Sequence, residues 1–395
     1  MTNPNPHPSR PRYRDLGLTV GLLPPGPGNA ITDVEGVQVG TVTLIHGYGP
    51  LRIGAGPVRT GVTVVLPHND IGAFPLFAGC HRLNGNGELT GLEWVRESGQ
   101  LTTPVAITNT HSVGVVRDAL VSFETAARDA RSSYWALPVA ADMERRPEPM
   151  NYWSLPVVGE TYDGTLNDIN GFHVRPEHLT HALAAATRGP VPEGNVGGGT
   201  GMICHEFKGG TGTASRAVSG YTVGALVQAN HGRRERLSVD GVPVGRELDT
   251  DVIPSPYDEP KDAGSGSIIA ILATDAPLLP HQCERLAQRA GLGVARVGGG
   301  GEHSSGDLFL AFSTANRGRI ASYKADGPRE PVHLDMLPDA GITDLFWAAI
   351  ESTEEAILNA LIAAETMTGI DGVTANALDH ERLLEVMTRY ARGPA

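Results

Sequence analysis

Ala263-Gly264-Ser265-Gly266-Ser267-Ile268-Ile269-Ala270-Ile271-Leu272-Ala273-Thr274-Asp275 is the stretch on which the fold turns. A Gly/Ser segment gives way abruptly to an apolar run, Ile268 to Ala273, that is short and rich in β-branched residues. Such a run reads as a strand buried on both faces. Ser267 stands directly before it, preceded by Gly266. A cut between the two would make Ser267 the new N-terminus of a core strand. Hydroxyl and free α-amine would then sit on one residue, a route to an activated Ser or Thr. An α-amine titrates near ~7.7–8.0, where a general base is useful at neutral pH. On this stretch alone, an ordinary Gly/Ser loop entering a strand is the commoner alternative.

Working outward, the C-terminal side alternates helix and strand. Pro280 to Ala290 predicts a helix with Cys283, Leu286, Ala287 and Ala290 on one face and Gly291 as its C′ residue. A polar loop, Gly298 to Asp307, precedes an apolar strand, Leu308 to Phe312. Thr343 to Met367 predicts a long helix, and Asp379 to Arg389 a final one. On the N-terminal side, Thr213 to Asn230 reads as a hairpin of two long strands turning at Ser219-Gly220. Strands are predicted around Val37 to Leu44, over Gly61 to Leu66, Pro104 to Ile107 and from Pro156 into the Glu160-Thr161-Tyr162-Asp163-Gly164 turn. Leu89 to Glu97 predicts a short helix, Ser112 an N-cap for a helix over Val113 to Arg131, and Pro176 the first turn of a helix through Ala186. Arg145 to Pro149 reads as a solvated loop. The prolines of residues 1–28 predict a tail and loop, so residues 29–395 are expected to form one large α/β domain.

Composition narrows the function. A formal charge of −13, from 31 basic and 44 acidic residues, argues against a nucleic-acid partner. Fifty glycines with 19% charged residues describe a turn-rich globular enzyme. Cys80, Cys204 and Cys283 are far apart and odd in number, which argues against a disulfide framework. No stretch approaches the roughly 20 apolar residues of a membrane span, and Met1 to Arg14 lacks the apolar core of a secretory signal. A cytoplasmic setting without a membrane partner is expected.

The glycine clusters Gly194 to Gly201 and Lys208 to Gly212 invite a phosphate reading, but neither matches a P-loop. Tight packing around a site, with amides free to donate, is the better expectation. His205-Glu206 lacks the second histidine of a zinc-binding HExxH, and each remaining histidine defaults to a solvated or core role. Asn230 ends an apolar strand, where its amide could donate to a developing oxyanion or simply start a turn. Ser305 and Asp307 flank Gly306 just before another strand. They would meet Ser267 if the two strands were neighbours, and are otherwise loop polarity.

Together these weak signals resemble the L-aminopeptidase/D-esterase and β-peptidyl aminopeptidase family of self-processing serine hydrolases of the N-terminal-nucleophile type. The resemblance covers nearly the whole chain. It runs through Arg14 to Gly17, Asn29 to Val34, Gly194 to Met202, Phe207 to Thr213, Val227 to Asn230, Gly266 to Ile269 and Phe309 to Asn316. It implies a four-layer αββα sandwich like that of N-terminal-nucleophile hydrolases, with different strand connectivity. It implies self-cleavage at Gly266–Ser267 into an α chain, 1–266, and a β chain, 267–395, that stay associated, commonly as a tetramer of heterodimers. It implies Ser267 as nucleophile, Asn230 in the oxyanion hole, Ser305 and Asp307 as a polar pair near the nucleophile's amine, and Tyr162 supporting the tetrahedral intermediate. Asp307 departs from relatives with Glu there, one methylene longer. Glu160, two positions from Tyr162, is a candidate for the substrate's amine. The expected activity is release of N-terminal L-, D- or β-amino acids from small peptides, amides and esters through an acyl-enzyme, without metal or organic cofactor. The alternatives are a self-processing acyltransferase and a non-enzymatic glycine-rich binder of a phosphorylated metabolite.

Overall fold

The computed structural model describes residues 10–129, 153–257, 266–320 and 331–394. Its strands are β1 (Gln38–His46), β2 (Val58–Leu66), β3 (Leu76–Gly85), β4 (Gln100–Leu101), β5 (Val105–Asn109), β6 (Val157–Thr161), β7 (Ile203–Cys204), β8 (Phe207–Lys208), β9 (Gly210–Val218), β10 (Tyr221–Asn230), β11 (Ser267–Thr274), β12 (Gly306–Ser313), β13 (Met367–Thr368) and β14 (Thr374–Ala375). Its α-helices are α1 (Leu92–Ser98), α2 (Val113–Asp129), α3 (Pro176–Ala184), α4 (Val244–Glu247), α5 (Pro280–Arg296), α6 (Thr343–Ile362) and α7 (His380–Arg389).

β11 is buried along its whole length, as its apolar run dictates. Ile268, Ala270 and Leu272 join a core with α5 and α6, while Ile269, Ile271 and Ala273 join a second core against the other sheet. Each fully buried Ile or Leu contributes about 1.5–3 kcal/mol, so this strand is an energetic centre of the fold. The six-stranded sheet has the order β4-β3-β12-β11-β10-β9, and the four-stranded sheet the order β1-β2-β5-β6. The sheets face each other through the second core. Helices α2 and α3 cover the outside of the smaller sheet through Val116, Leu120, Leu179 and Leu183. Helices α5 and α6 cover the outside of the larger one. This is the four-layer αββα sandwich expected.

β9 and β10 form the expected hairpin, turning on Ser219 and Gly220, both at positive φ. This is the two-residue turn that matches strand twist. Helix α5 departs from expectation: it runs through Gly291 and Gly293 to Arg296 instead of stopping. A Cβ at Gly293 would lie 2.7 Å from Ile350 O and 2.7 Å from Thr353 Cβ. There the glycine serves close packing of α5 on α6. Ser112 is not an N-cap, because a helical turn already begins at Thr110 and runs into α2. The predicted helix end at Arg131 and the loop at Arg145 to Pro149 lie outside the described residues. Helix α1 starts at Leu92, three residues later than predicted, since Leu89 bridges to Gly159. Helix α6 ends at Ile362, and Met367–Thr368 instead pairs with Thr374–Ala375.

Residues 10–28 carry only a 3-10 turn at Arg14–Leu16, yet they are pinned to the body. Arg14 pairs with Glu355 at 2.7 Å, and buried Arg216 binds Glu351 at 3.1 Å and Glu355 at 2.7 Å. Burial disfavours the Glu355 carboxylate, but Arg14 and Arg216 outweigh it and hold its pKa below the usual range. No described helix is long and apolar enough to cross a membrane.

Candidate active site

The site forms where three strands of the larger sheet meet at one end. Asn230, the last residue of β10, lies opposite Ser267, the first of β11, in antiparallel register. Ser267 pairs in parallel with Gly306, the first residue of β12. Period-two alternation puts Ser267 on the face of Ile269 and Ile271, toward the smaller sheet, and Asn230 on the corresponding face of β10 with Leu226.

Asn230 is buried and held at both ends of its amide. Its Oδ1 accepts from Ile203 N–H at 2.7 Å, and its Nδ2 donates to the Tyr162 carbonyl at 3.0 Å. An amide nitrogen has two hydrogens, so one more donation is open to it. Gly266 is forced to be glycine, since a Cβ there would lie 2.0 Å from Asn230 O. The Gly306 N–H is shared: it donates to Ser267 Oγ at 3.2 Å and to the Gly266 carbonyl at 3.2 Å. One backbone donor therefore touches both the candidate nucleophile and the bond it would attack. Residue types could not reveal this donor, because it follows from strand register.

Ser305 and Asp307 are buried, and Ser305 Oγ donates to Asp307 Oδ1 at 2.6 Å. Alternation places Asp307 on the helix side of β12 with Phe309, away from Ser267 Oγ. Burial pushes the Asp307 carboxyl up to about 6, while hydrogen bonds from Ser305 and the Ile268 backbone pull it down. The carboxylate thus reaches the main chain at Ile268, one residue beyond Ser267. Asn84, missed in the sequence, holds this loop by donating through Nδ2 to the carbonyls of Glu302 and Ser305.

Glu160 is buried, which rules out a solvated strand-end charge. It accepts from Glu88 N–H at 2.9 Å and from the Thr110 hydroxyl, and burial raises its pKa. A Cβ at Gly87 would lie 3.0 Å from Glu160 Oε1 and 3.1 Å from Gly306 Cα, so only a glycine separates this carboxylate from the Ser267 neighbourhood. Tyr162 lies just beyond β6, with a half-exposed side chain and its backbone carbonyl on Asn230.

The glycine clusters are close-packed, but their amides are largely taken. Gly197 N–H donates to Thr43, Gly198 N–H to Thr63 and Gly199 N–H to Val196 O. Buried Lys208 donates to the carbonyls of Met202 and Gly209 at 2.8 Å each, and burial lowers its pKa to about 7. These amides and this lysine bond to threonine hydroxyls and backbone carbonyls of the protein itself, so they do not offer a phosphate site.

The peptidase family S58 model matches residues 29–375. A β-peptidyl aminopeptidase, BapA, of Sphingosinicella microcystinivorans is 48% identical over 394 residues, covering 97% of this chain and 93% of the relative. A β-aminopeptidase of Burkholderia sp. has a solved structure with a TM-score of 0.83 and 52% identity, covering 96% of this chain and 98% of that one. The L-aminopeptidase D-Ala-esterase/amidase of Ochrobactrum anthropi, described as a prototype serine aminopeptidase and a new variant among the Ntn hydrolase fold, matches with a TM-score of 0.83 and 46% identity over 98% of this chain and 100% of that one. With its sandwich, its Ser267–Asn230 register and these matches along nearly all its length, the chain belongs to peptidase family S58 and is an aminopeptidase/esterase of the serine, N-terminal-nucleophile type.

Proposed function

We propose that the chain cuts itself between Gly266 and Ser267 and then uses the freed Ser267 to remove N-terminal residues, β-amino acids among them, from small peptides, amides and esters. The observation that carries this reading is the register at the site. Ser267 Oγ and the Gly266 carbonyl share the Gly306 N–H, with Asn230 alongside. In the precursor, Oγ attacks the Gly266 carbonyl carbon, and the Gly306 N–H stabilises the developing oxyanion. The Gly266–Ser267 C–N bond breaks, Ser267 leaves as a free amine, and water hydrolyses the ester to give the Gly266 carboxylate.

In the processed enzyme, the α-amine of Ser267 takes the hydroxyl proton and Oγ attacks the substrate carbonyl; the scissile C–N or C–O bond then breaks, the departing amine or alcohol takes that proton, and water hydrolyses the acyl-enzyme to free Ser267. Asn230 Nδ2 donates to the oxyanion, Tyr162 supports the same intermediate, and Asp307, held by Ser305, balances the charge of the Ser267 ammonium. Glu160 receives the substrate's ammonium, because a desolvated carboxylate makes a strong charge-assisted hydrogen bond to it. The names of the relatives support β-amino acids as one substrate class. We place the processed protein in the cytoplasm as an oligomer of α/β heterodimers.

The test begins with intact mass and N-terminal sequencing. Pieces of 266 and 129 residues are expected, the smaller starting Ser-Ile-Ile-Ala, with Ser267→Ala staying whole. Processing that survives Ser267→Ala would overturn the proposal. A panel of L-, D- and β-aminoacyl p-nitroanilides with their N-acetyl forms then reads specificity. Acetylated substrates should lose most of their kcat/KM, and Glu160→Gln should narrow that gap without slowing self-cleavage. An unchanged preference in the variant would release Glu160 from the role.

A further inference from the structure

Cys204, His205 and His231 meet in the interior beside the Asn230 end of β10, although 27 positions separate Cys204 from His231. All three are buried, and one ligand atom from each lies within 4.8 Å of the others. Cys204 Sγ is 3.9 Å from His231 Nδ1. His205 Nδ1 is engaged with the Arg233 carbonyl at 3.0 Å, which leaves His205 Nε2 for the cluster. That Nε2 has no hydrogen-bond partner. A buried polar nitrogen left unsatisfied is costly, and an ion is one of the few things that resolves it. An imidazole fixed by a backbone carbonyl on its far nitrogen is also the usual arrangement of a metal-bound histidine.

The backbone adds a separate observation. β7 and β8 are joined by His205 and Glu206, both at positive φ (49° and 62°). Positive φ at both central residues is the geometry of a two-residue hairpin turn, which fixes where the His205 ring points. The turn swings the His205 ring edge-on to His231, with centroids 5.2 Å apart, and Gly232 lies against it so closely that a Cβ would sit 2.3 Å from His205 Cε1.

We propose that Cys204 Sγ, His205 Nε2 and His231 Nδ1 bind a soft d10 cation, zinc(II) or copper(I). Thiolate with neutral imidazole is the donor set these ions favour. A trigonal Cys-His-His set is a copper geometry, and a fourth ligand would complete zinc's tetrahedron. Bonds of roughly 2.0–2.3 Å require the donors to close in by about 1 Å at most. Binding releases the Cys204 thiol proton to solvent. The ion is structural. Ile203, the neighbour of Cys204, donates to Asn230 Oδ1, and His205 N–H donates to the His231 carbonyl at 2.7 Å. The cation therefore clamps the β7–β8 hairpin onto the strand end that orients Asn230.

The full-length protein, kept in one piece by Ser267→Ala and otherwise wild type, should be unfolded and refolded with zinc(II), with copper(I) under reducing conditions, or with a strong chelator, then dialysed and assayed for metal by plasma mass spectrometry. Retention of about one equivalent of either ion, with a higher Tm than the chelated sample, supports the site. Replacing Cys204→Ser, or His205→Phe together with His231→Phe to keep the rings, should lower retention roughly tenfold or more. Because variants can fail to fold, the same uncleaved protein with the cluster intact, refolded with cobalt(II), provides a second reading, in which a thiolate-to-cobalt absorption band is expected. Retention by that protein of less than about a tenth of an equivalent of both ions, or the lack of such a band, overturns the proposal.

Discussion

At the scale of single residues, the proposed mechanism has Asn230 and Asp307 act through different parts of Ser267. Asn230 is locked by Ile203 and Tyr162, so its remaining hydrogen points without reorganisation. Asn230→Ala should lower kcat by about 10²–10³, as for loss of one oxyanion donor. Steady-state kinetics within a few-fold of wild type would reduce Asn230 to a strand cap. Asp307 works on charge. Its carboxyl, usually near 3.8, is pushed up by burial to about 6 in the uncleaved chain. The fold then keeps a proton that the unfolded chain has lost, so stability is fully present below about pH 4 and is lost as pH rises through about 6. In a Ser267→Ala background, Asp307→Asn should therefore raise Tm above pH 6 and change it little at pH 4. In the processed enzyme, the same substitution removes the anion that favours the Ser267 ammonium. The acidic limb of the kcat/KM profile should move to lower pH, and a limb that stays in place would detach Asp307 from that amine.

At the scale of elements, the end of β10 presses on the start of β11. With 2.0 Å between a Gly266 Cβ and Asn230 O, Gly266→Ala must displace the Gly266 carbonyl from the Gly306 N–H. Self-cleavage, followed on a denaturing gel, should slow by about 10²-fold while the fold persists. The elements themselves were largely legible. The run from Ile268 to Ala273 read as a doubly buried strand and Ser219-Gly220 as a tight turn, and both are found. Glycine was the ambiguous letter. Gly291 resembles a helix stop, but its helix continues through Gly293 because α6 crosses there, and a partner helix leaves no local mark. Ser112 misled in the opposite way, as a good cap residue placed one turn inside a helix. Of the site, side chains with obvious chemistry could be named. The Gly306 amide and the Asn84 brace could not, because register and loop closure decide them.

At the scale of the molecule, the proposed cut falls inside a shared sheet. β3 and β4 lie on one side of β12 and β11, and β10 and β9 lie on the other. The two strands of this sheet that follow residue 266 are thus held between strands that precede it. The Arg14 and Arg216 pairs with Glu355 and Glu351 also bridge the two pieces. Removing one partner of a buried pair leaves an unpaired charge, so Arg216→Ala should cost about 3–5 kcal/mol by denaturant titration. A pair worth nothing in that assay would locate the cohesion of the halves in the sheet alone.

The interleaved strand order also changes the kinetic order of folding. Before the cut, β12 and β11 reach their places as part of one chain, so refolding is unimolecular. After the proposed cut, the central pair would have to be recaptured by a separate polypeptide, and renaturation would become a second-order encounter. Uncleaved Ser267→Ala should refold at a rate independent of dilution. Denatured processed enzyme should recover more slowly and less completely as it is diluted, with half-times that lengthen in proportion to dilution where the encounter limits recovery. Equal dilution behaviour in the two forms would mean that each half folds by itself and docks afterwards. Otherwise, on the proposed processing, a heat shock that the precursor survives would become permanent inactivation for the processed enzyme at low concentration.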